Sequence, residues 1–258
     1  MKFYTAYKPI WSTLLPILWR LPHDTRHTLF EILSPGRFRN MQALRRLPPH
    51  TKTSLSLFDQ YRCLFVHVPK TGGLSIETGL FGIAGINDHR PLWQYELTYN
   101  QNEFESYFKF GFVRNPWDRL VSAFYYLQNG SHYISQHDIK WSKNTLGAYK
   151  TFKSFVKGWL SEQNIMKSLQ EQVWHFAPQY SYLCDPLGHL KLDFIGRYEN
   201  LQADYEQIRQ QLGIGTALPH ENQSRKTALP YQEEYDEEMR QIVAKVYQTD
   251  IELFGYEY

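Results

Sequence analysis

Short, almost wholly apolar runs alternate along this chain with longer stretches in which apolar residues return every three or four positions. The run Cys63-Leu64-Phe65-Val66-His67-Val68 is β-favouring and apolar nearly throughout, as in a central strand covered on both faces. Pro69 closes it, because proline cannot donate to a ladder. Lys70-Thr71-Gly72-Gly73 then reads as a turn, and Leu74-Ser75-Ile76-Glu77 as the start of a helix. A second strand is predicted over Phe108–Val113, ending at Arg114. Asn115 is suited to cap the next helix, with Pro116 at its first position and Asp118 in its first turn. The three- and four-residue spacing of Trp117, Leu120, Val121, Phe124 and Leu127 gives that helix one buried face.

Further helices are predicted around Phe152, Phe155, Val156 and Trp159, around Ile165, Leu169 and Val173, and through Ile208. A short strand is predicted over Leu192–Gly196, and a last helix over Tyr231–Tyr247 that buries Tyr235, Met239, Ile242, Val243 and Val246. Strand-to-helix units with a polar residue at the strand's carboxyl end imply an α/β fold: an open, mainly parallel central sheet flanked by helices, P-loop-like and three-layered, with its ligand at that edge. Residues 61–258 are expected to form one domain. Residues 1–60 carry six prolines (Pro9, Pro16, Pro22, Pro35, Pro48 and Pro49) and read as an irregular lead-in with short helices, packed on that domain. Arg37, Arg39, Arg45 and Arg46 in the lead-in read as a solvated surface.

Composition narrows the function. A net charge of +2 is too small for a nucleic-acid surface but allows a local basic cleft. Aromatic content of 16% suits a large core and equally the stacking of sugars, particularly between Trp93 and Trp174. Cys63 and Cys184 make neither a disulfide framework nor a metal cluster, which points to a reducing compartment and a cytoplasmic location. Cys63 itself reads as a buried core thiol. The apolar stretch Ile10–Trp19 is interrupted by Ser12, Thr13 and Pro16 and is too short to span a bilayer. It reads as an arm folded onto the domain, ahead of a peripheral membrane contact through Trp11 and Trp19.

Val68-Pro69-Lys70-Thr71-Gly72-Gly73-Leu74-Ser75 carries the strongest chemical signal. A loop between a buried strand and a helix offers backbone N–H groups and the positive end of a helix dipole to an anion. Lys70 adds a full charge, Thr71 and Ser75 add hydroxyls, and glycines allow close approach. A nucleoside-triphosphate P-loop places its lysine after the glycines, whereas Lys70 precedes them.

Phe65-Val66-His67-Val68-Pro69-Lys70-Thr71-Gly72-Gly73 resembles the 5′-phosphosulfate loop of sulfotransferases that use 3′-phosphoadenosine 5′-phosphosulfate (PAPS). The likeness is to the carbohydrate type, related to heparan sulfate 2-O-sulfotransferases. Phe112-Val113-Arg114-Asn115-Pro116-Trp117-Asp118-Arg119-Leu120-Val121-Ser122 is similar to the family's 3′-phosphate segment. Ile195-Gly196-Arg197-Tyr198-Glu199-Asn200-Leu201 and Ser224-Arg225-Lys226-Thr227 resemble later segments, more weakly. The resemblance implies donor binding by Lys70, Thr71, Gly72, Gly73, Leu74 and Ser75 at the 5′ end. Arg114 and Ser122, with Ser224, Arg225 and Lys226, would hold the 3′-phosphate. It also implies PAP as product, no metal, and a hydroxyl on a carbohydrate or glycolipid as acceptor.

Transfer needs support for the leaving oxygen, assigned to Lys70, and a base for the hydroxyl. Ten histidines are present, and His89 is preferred because it lies in the polar segment where the family carries its catalytic histidine. His67 is the runner-up, expected to pack beneath the loop, and His175 is a candidate for shaping the acceptor side. Arg119 is read as a surface ion pair, Trp117 as a core contact, and a structural salt bridge is the rival role for Arg114. The competing functions are a non-catalytic adenosine-nucleotide-binding protein and an atypical nucleotide kinase.

Overall fold

The computed structural model describes residues 15–86, 89–130, 134–219 and 230–258. Two compact units divide the chain: Met1–Val113 with Gln179–Glu221, and Arg114–Pro178 with Asn222–Tyr258.

The first unit holds the sheet. Strands β1 (Cys63–Val66), β2 (Phe108–Val113) and β3 (Phe194–Arg197) lie in the order β1-β2-β3, all parallel. Phe65 is in register with Phe110, and Phe110 with Phe194. All four residues of β1 are buried, which explains why its sequence shows no alternation. The expected α/β fold with an open parallel sheet is therefore present, with helices against it: α1 (Ser56–Tyr61) contacts β1, and α2 (Leu201–Leu212) contacts β3.

Two strand boundaries differ from expectation. β1 stops at Val66, and just beyond it the His67 carbonyl is bonded by the side chain of His89, 3.1 Å away. β3 starts at Phe194, not Leu192, because the Lys109 N–H donates to the Asp193 carboxylate at 2.7 Å and not to a strand carbonyl.

The N-terminal part of this unit is helical over His23–Leu33 and Pro35–Arg45. Trp19 is only 4% exposed, its indole N–H donates to Glu96 at 3.1 Å, and it packs edge-on to Trp93. Trp19 is thus a core residue; Trp11 lies outside the described residues. Arg45 corrects the picture of a solvated basic cluster. It bonds Asp59 and Glu103 at 2.8 and 2.7 Å and lies over the Tyr99 ring. Burial opposes its charge, but the two carboxylates outweigh that and raise its pKa further.

The second unit is helical. Its first helix, α3 (Pro116–Asn129), is capped by Asn115, whose side chain accepts from the Trp117 N–H at 3.1 Å. Trp117, Leu120, Val121, Phe124 and Leu127 are all buried, as their spacing predicts. Helices over Phe152–Gly158 and Glu162–Gln170 follow, the latter ending before Val173. The single helix expected over Tyr231–Tyr247 is broken. A 3-10 turn, Tyr231–Glu234, precedes extended Tyr235, and Asp236 caps α4 (Glu237–Val246) by accepting from the Met239 N–H at 3.0 Å. A side chain that captures an N3 amide starts a new helix, and apolar spacing alone does not register it. Only Met239 and Val243 of the five expected residues are fully buried.

Candidate functional site

The loop after β1 is tightly determined. Thr71 is buried, and its hydroxyl donates to the Val68 carbonyl at 2.8 Å. That bond commits the hydroxyl proton to shaping the turn. Lys70 has φ +72°, in the left-handed region, and Gly72 has φ +83° and caps helix α5 (Gly73–Phe81). The left-handed turn at Lys70 costs a side chain about 1–2 kcal/mol, a strain that glycine would not carry. Gly73 is required for a different reason. A Cβ placed there would lie 1.9 Å from His67 Nε2, so the ring fills the space beside the helix start. The segment after β3 also reaches the loop: a Cβ on Gly72 would lie 3.0 Å from Leu201 and 3.6 Å from Tyr198. The sequence motif beginning at Ile195 is thereby placed against the Lys70 loop within one unit, as strand-end residues of a parallel sheet should be. The opening N–H groups of α5 have no acceptor within the helix, and the helix dipole adds positive potential there. Ser75, in its first turn, is buried.

His89 joins this cluster. Its ring is 4.4 Å from that of His67, its Nδ1 is 3.1 Å from the His67 carbonyl oxygen, and its φ is +61°. A carbonyl can only accept, so Nδ1 carries the hydrogen, and in the neutral ring Nε2 carries the lone pair. That is the tautomer a base acting through Nε2 requires. His67 is buried beneath the loop, as expected of it, with Nδ1 3.3 Å from Glu77 Oε1. Glu77 is 0% exposed, and its Oε2 accepts from the Gly85 N–H at 2.6 Å. Sequence reading missed Glu77; an acid on the apolar side of a helix was the available signal.

In the second unit, Arg114 is 8% exposed, and its Nε and one terminal nitrogen both lie 2.8 Å from Asp118 Oδ2. The salt bridge weighed as a rival role is present. Ser122 is buried about two turns into α3. Arg119 is not a surface ion pair. It is 1% exposed and donates to the carbonyls of His175 and Ala177 at 3.2 and 2.6 Å, tying α3 to an irregular segment whose backbone oxygens need donors. Trp117 is the core contact expected, with its indole N–H on the Arg240 carbonyl. His175 is buried, with Nε2 3.5 Å from Asp138. Burial alone would raise the Asp138 pKa, but His175, with Ser135, lowers it below the usual carboxylate range. Trp93, Trp117, Trp141 and Trp159 are all buried, so much of the aromatic content builds cores. Ser224, Arg225 and Lys226 lie outside the described residues.

Among the described residues, no group of three His, Cys, Asp or Glu side chains could hold a metal ion, and no helix is long and apolar enough to cross a membrane. The model of the sulfotransferase family matches residues 54–257. Carbohydrate sulfotransferase 14 of Mus musculus is 30% identical over 175 residues, 58% of this chain and 44% of that protein. Carbohydrate sulfotransferase 10 of Rattus norvegicus is 27% identical over 265 aligned positions, 84% of this chain and 72% of that protein. The chain spans less than half the length of the carbohydrate sulfotransferase 14 proteins it matches from Mus musculus and Homo sapiens. No solved structure gives a significant match.

Proposed function

This chain belongs to the sulfotransferase family, and we propose that it moves a sulfuryl group from PAPS to a hydroxyl on a carbohydrate. The observation that carries this reading is the Lys70 loop: a charged residue held at φ +72° immediately before a glycine-capped helix that follows a fully buried strand. The fit to PAPS rests on chemistry that this loop supplies. The N–H groups at the positive end of α5 suit an anionic phosphosulfate. PAPS supplies the activated sulfuryl group.

In this reading the acceptor oxygen forms a bond to sulfur as the bond from sulfur to the phosphate oxygen breaks. Lys70 donates to that departing oxygen as its negative charge grows. His89 Nε2 takes the proton of the acceptor hydroxyl, and PAP leaves. Arg114 and Ser122 are assigned to the 3′-phosphate on the strength of their motif, and the Asp118 carboxylate holds the Arg114 fork in one orientation. The carbohydrate acceptor comes from the names of the relatives; kinship with heparan sulfate 2-O-sulfotransferases remains a reading of the motifs alone.

Titration calorimetry with adenosine 3′,5′-bisphosphate, AMP and ATP tests the donor. A charge-assisted hydrogen bond contributes roughly 1.5–3 kcal/mol, so the bisphosphate should bind one to two decades more tightly than AMP, and Arg114→Ala should erase most of that margin. Equal affinity for the bisphosphate and AMP removes PAPS as donor. Preference for ATP moves the chain toward kinase chemistry.

A further inference from the structure

The buried acid Glu77 is unused by the transfer chemistry, yet its two oxygens face two segments that the base depends on. Oε1 lies 3.3 Å from His67 Nδ1, and Oε2 accepts from the Gly85 N–H at 2.6 Å. His67 supplies the carbonyl that His89 Nδ1 bonds, and Gly85 opens the stretch that leads to His89. Burying a carboxylate fully is costly unless hydrogen-bonding partners compensate it. Here the Gly85 N–H bonds Oε2, while Oε1 faces His67 Nδ1 at ion-pair distance and outside hydrogen-bond geometry, so the acid links the helix after the donor loop to both His67 and Gly85.

We propose that Glu77 is a positioning residue: acting through His67 and Gly85, it holds His89 in the orientation and Nδ1–H tautomer that put the lone pair on Nε2. This rests on His89 being the base. The geometry is specific to a carboxylate of this length. Glutamine can still accept from the Gly85 N–H, but it then turns a neutral amide donor, and not a carboxylate oxygen, toward His67 Nδ1, which reverses the polarity of that contact. Aspartate is one methylene shorter and cannot span the same gap. The His67 ring has little room to adapt, because it sits against Gly73 with no space even for a methyl group. His89 also holds a left-handed φ of +61°, a conformation that persists only where surrounding contacts enforce it.

The test uses the full chain without ligand, labelled with ¹⁵N-histidine, at mildly alkaline pH where histidine is neutral. Two-bond ¹⁵N–¹H spectra report which ring nitrogen of His89 carries hydrogen, and His89→Ala assigns its signals. The wild type should show Nδ1 protonated and Nε2 pyridine-like. Glu77→Gln and Glu77→Ala should mix the tautomers, and kcat should fall about 10–100-fold while PAP affinity stays within about threefold, as expected of misorientation and not of lost binding. Glu77→Asp should resemble the glutamine variant and not restore the single tautomer. The isosteric Glu77→Gln keeps the test open if Glu77→Ala does not fold. A single Nδ1–H tautomer in Glu77→Gln, with unchanged kcat, overturns the proposal. The reading beneath it fails separately: full turnover in His89→Ala dismisses the base whatever the tautomer signals show.

Discussion

The His67 ring occupies the volume that any side chain on Gly73 would need, with Nε2 1.9 Å from the position a Cβ would take. The contact joins the end of β1 to the first residue of α5, so loop shape and ring position are one constraint. Gly73→Ala should destabilise the protein by about 1–3 kcal/mol through overpacking. Chemical denaturation of Gly73→Ala, His67→Ala and the double variant checks the cause. Losses in the double variant that are smaller than the sum of the singles support the clash; strict additivity argues against it.

Lys70 offers a separation of chemistry from strain. Lys70→Ala and Lys70→Gly both remove the amine, and both should lose about 10²–10³ in turnover. Their stabilities should differ, because only glycine adopts φ +72° without cost. Lys70→Gly should be more stable than Lys70→Ala by about 1 kcal/mol. Equal unfolding midpoints would mean that the left-handed turn is not maintained in solution.

The parts of this site that were legible in the sequence are those set by local rules. The apolar block of β1, the glycine pair, and the Asn115-Pro116 start of α3 each announce themselves within a few residues. His89 was singled out by its polar segment and the family resemblance, and the structure sets it beside His67. Glu77 was not, because its partners His67 and Gly85 are brought to it by the turn and the helix, and no spacing encodes that meeting. Arg119 and Arg45 were misread for the same reason. Arginine at a surface-like position looks solvated until distant carbonyls or carboxylates are found around it. The break before α4 was hidden because the apolar spacing runs on through the Asp236 cap.

Asp236 predicts a pH dependence. The Met239 N–H, then Lys153 and Lys157, hold its carboxyl well below the usual range. A depressed folded pKa stabilises the fold above the unfolded value, near 3.8, and that contribution is lost as pH falls through the lower folded value. Asp236→Ala should therefore lower Tm clearly at neutral pH and by less in strong acid, read by circular dichroism melts. A deficit that does not shrink on acidification contradicts the assignment.

Both cysteines are buried, and neither forms a disulfide. Burial pushes the Cys63 thiol up to about 12, so it is a poor nucleophile at neutral pH. Ellman's reagent should label neither cysteine in the native protein and both after unfolding. Rapid native labelling would show that the β1 core opens readily.

Sulfuryl transfer itself is the activity on which the roles of Lys70 and His89 depend. Radiolabelled PAPS should be incubated with wild type, Lys70→Ala and His89→Ala across a panel of desulfated glycans, scoring label on the glycan and release of PAP together. Label is expected on at least one glycan, in equal amount to the PAP released, with transfer depressed about 10²-fold or more in both variants. Label that appears equally with folded Lys70→Ala, or a wild type that binds PAP tightly and transfers to no hydroxyl in the panel, would contradict this expectation.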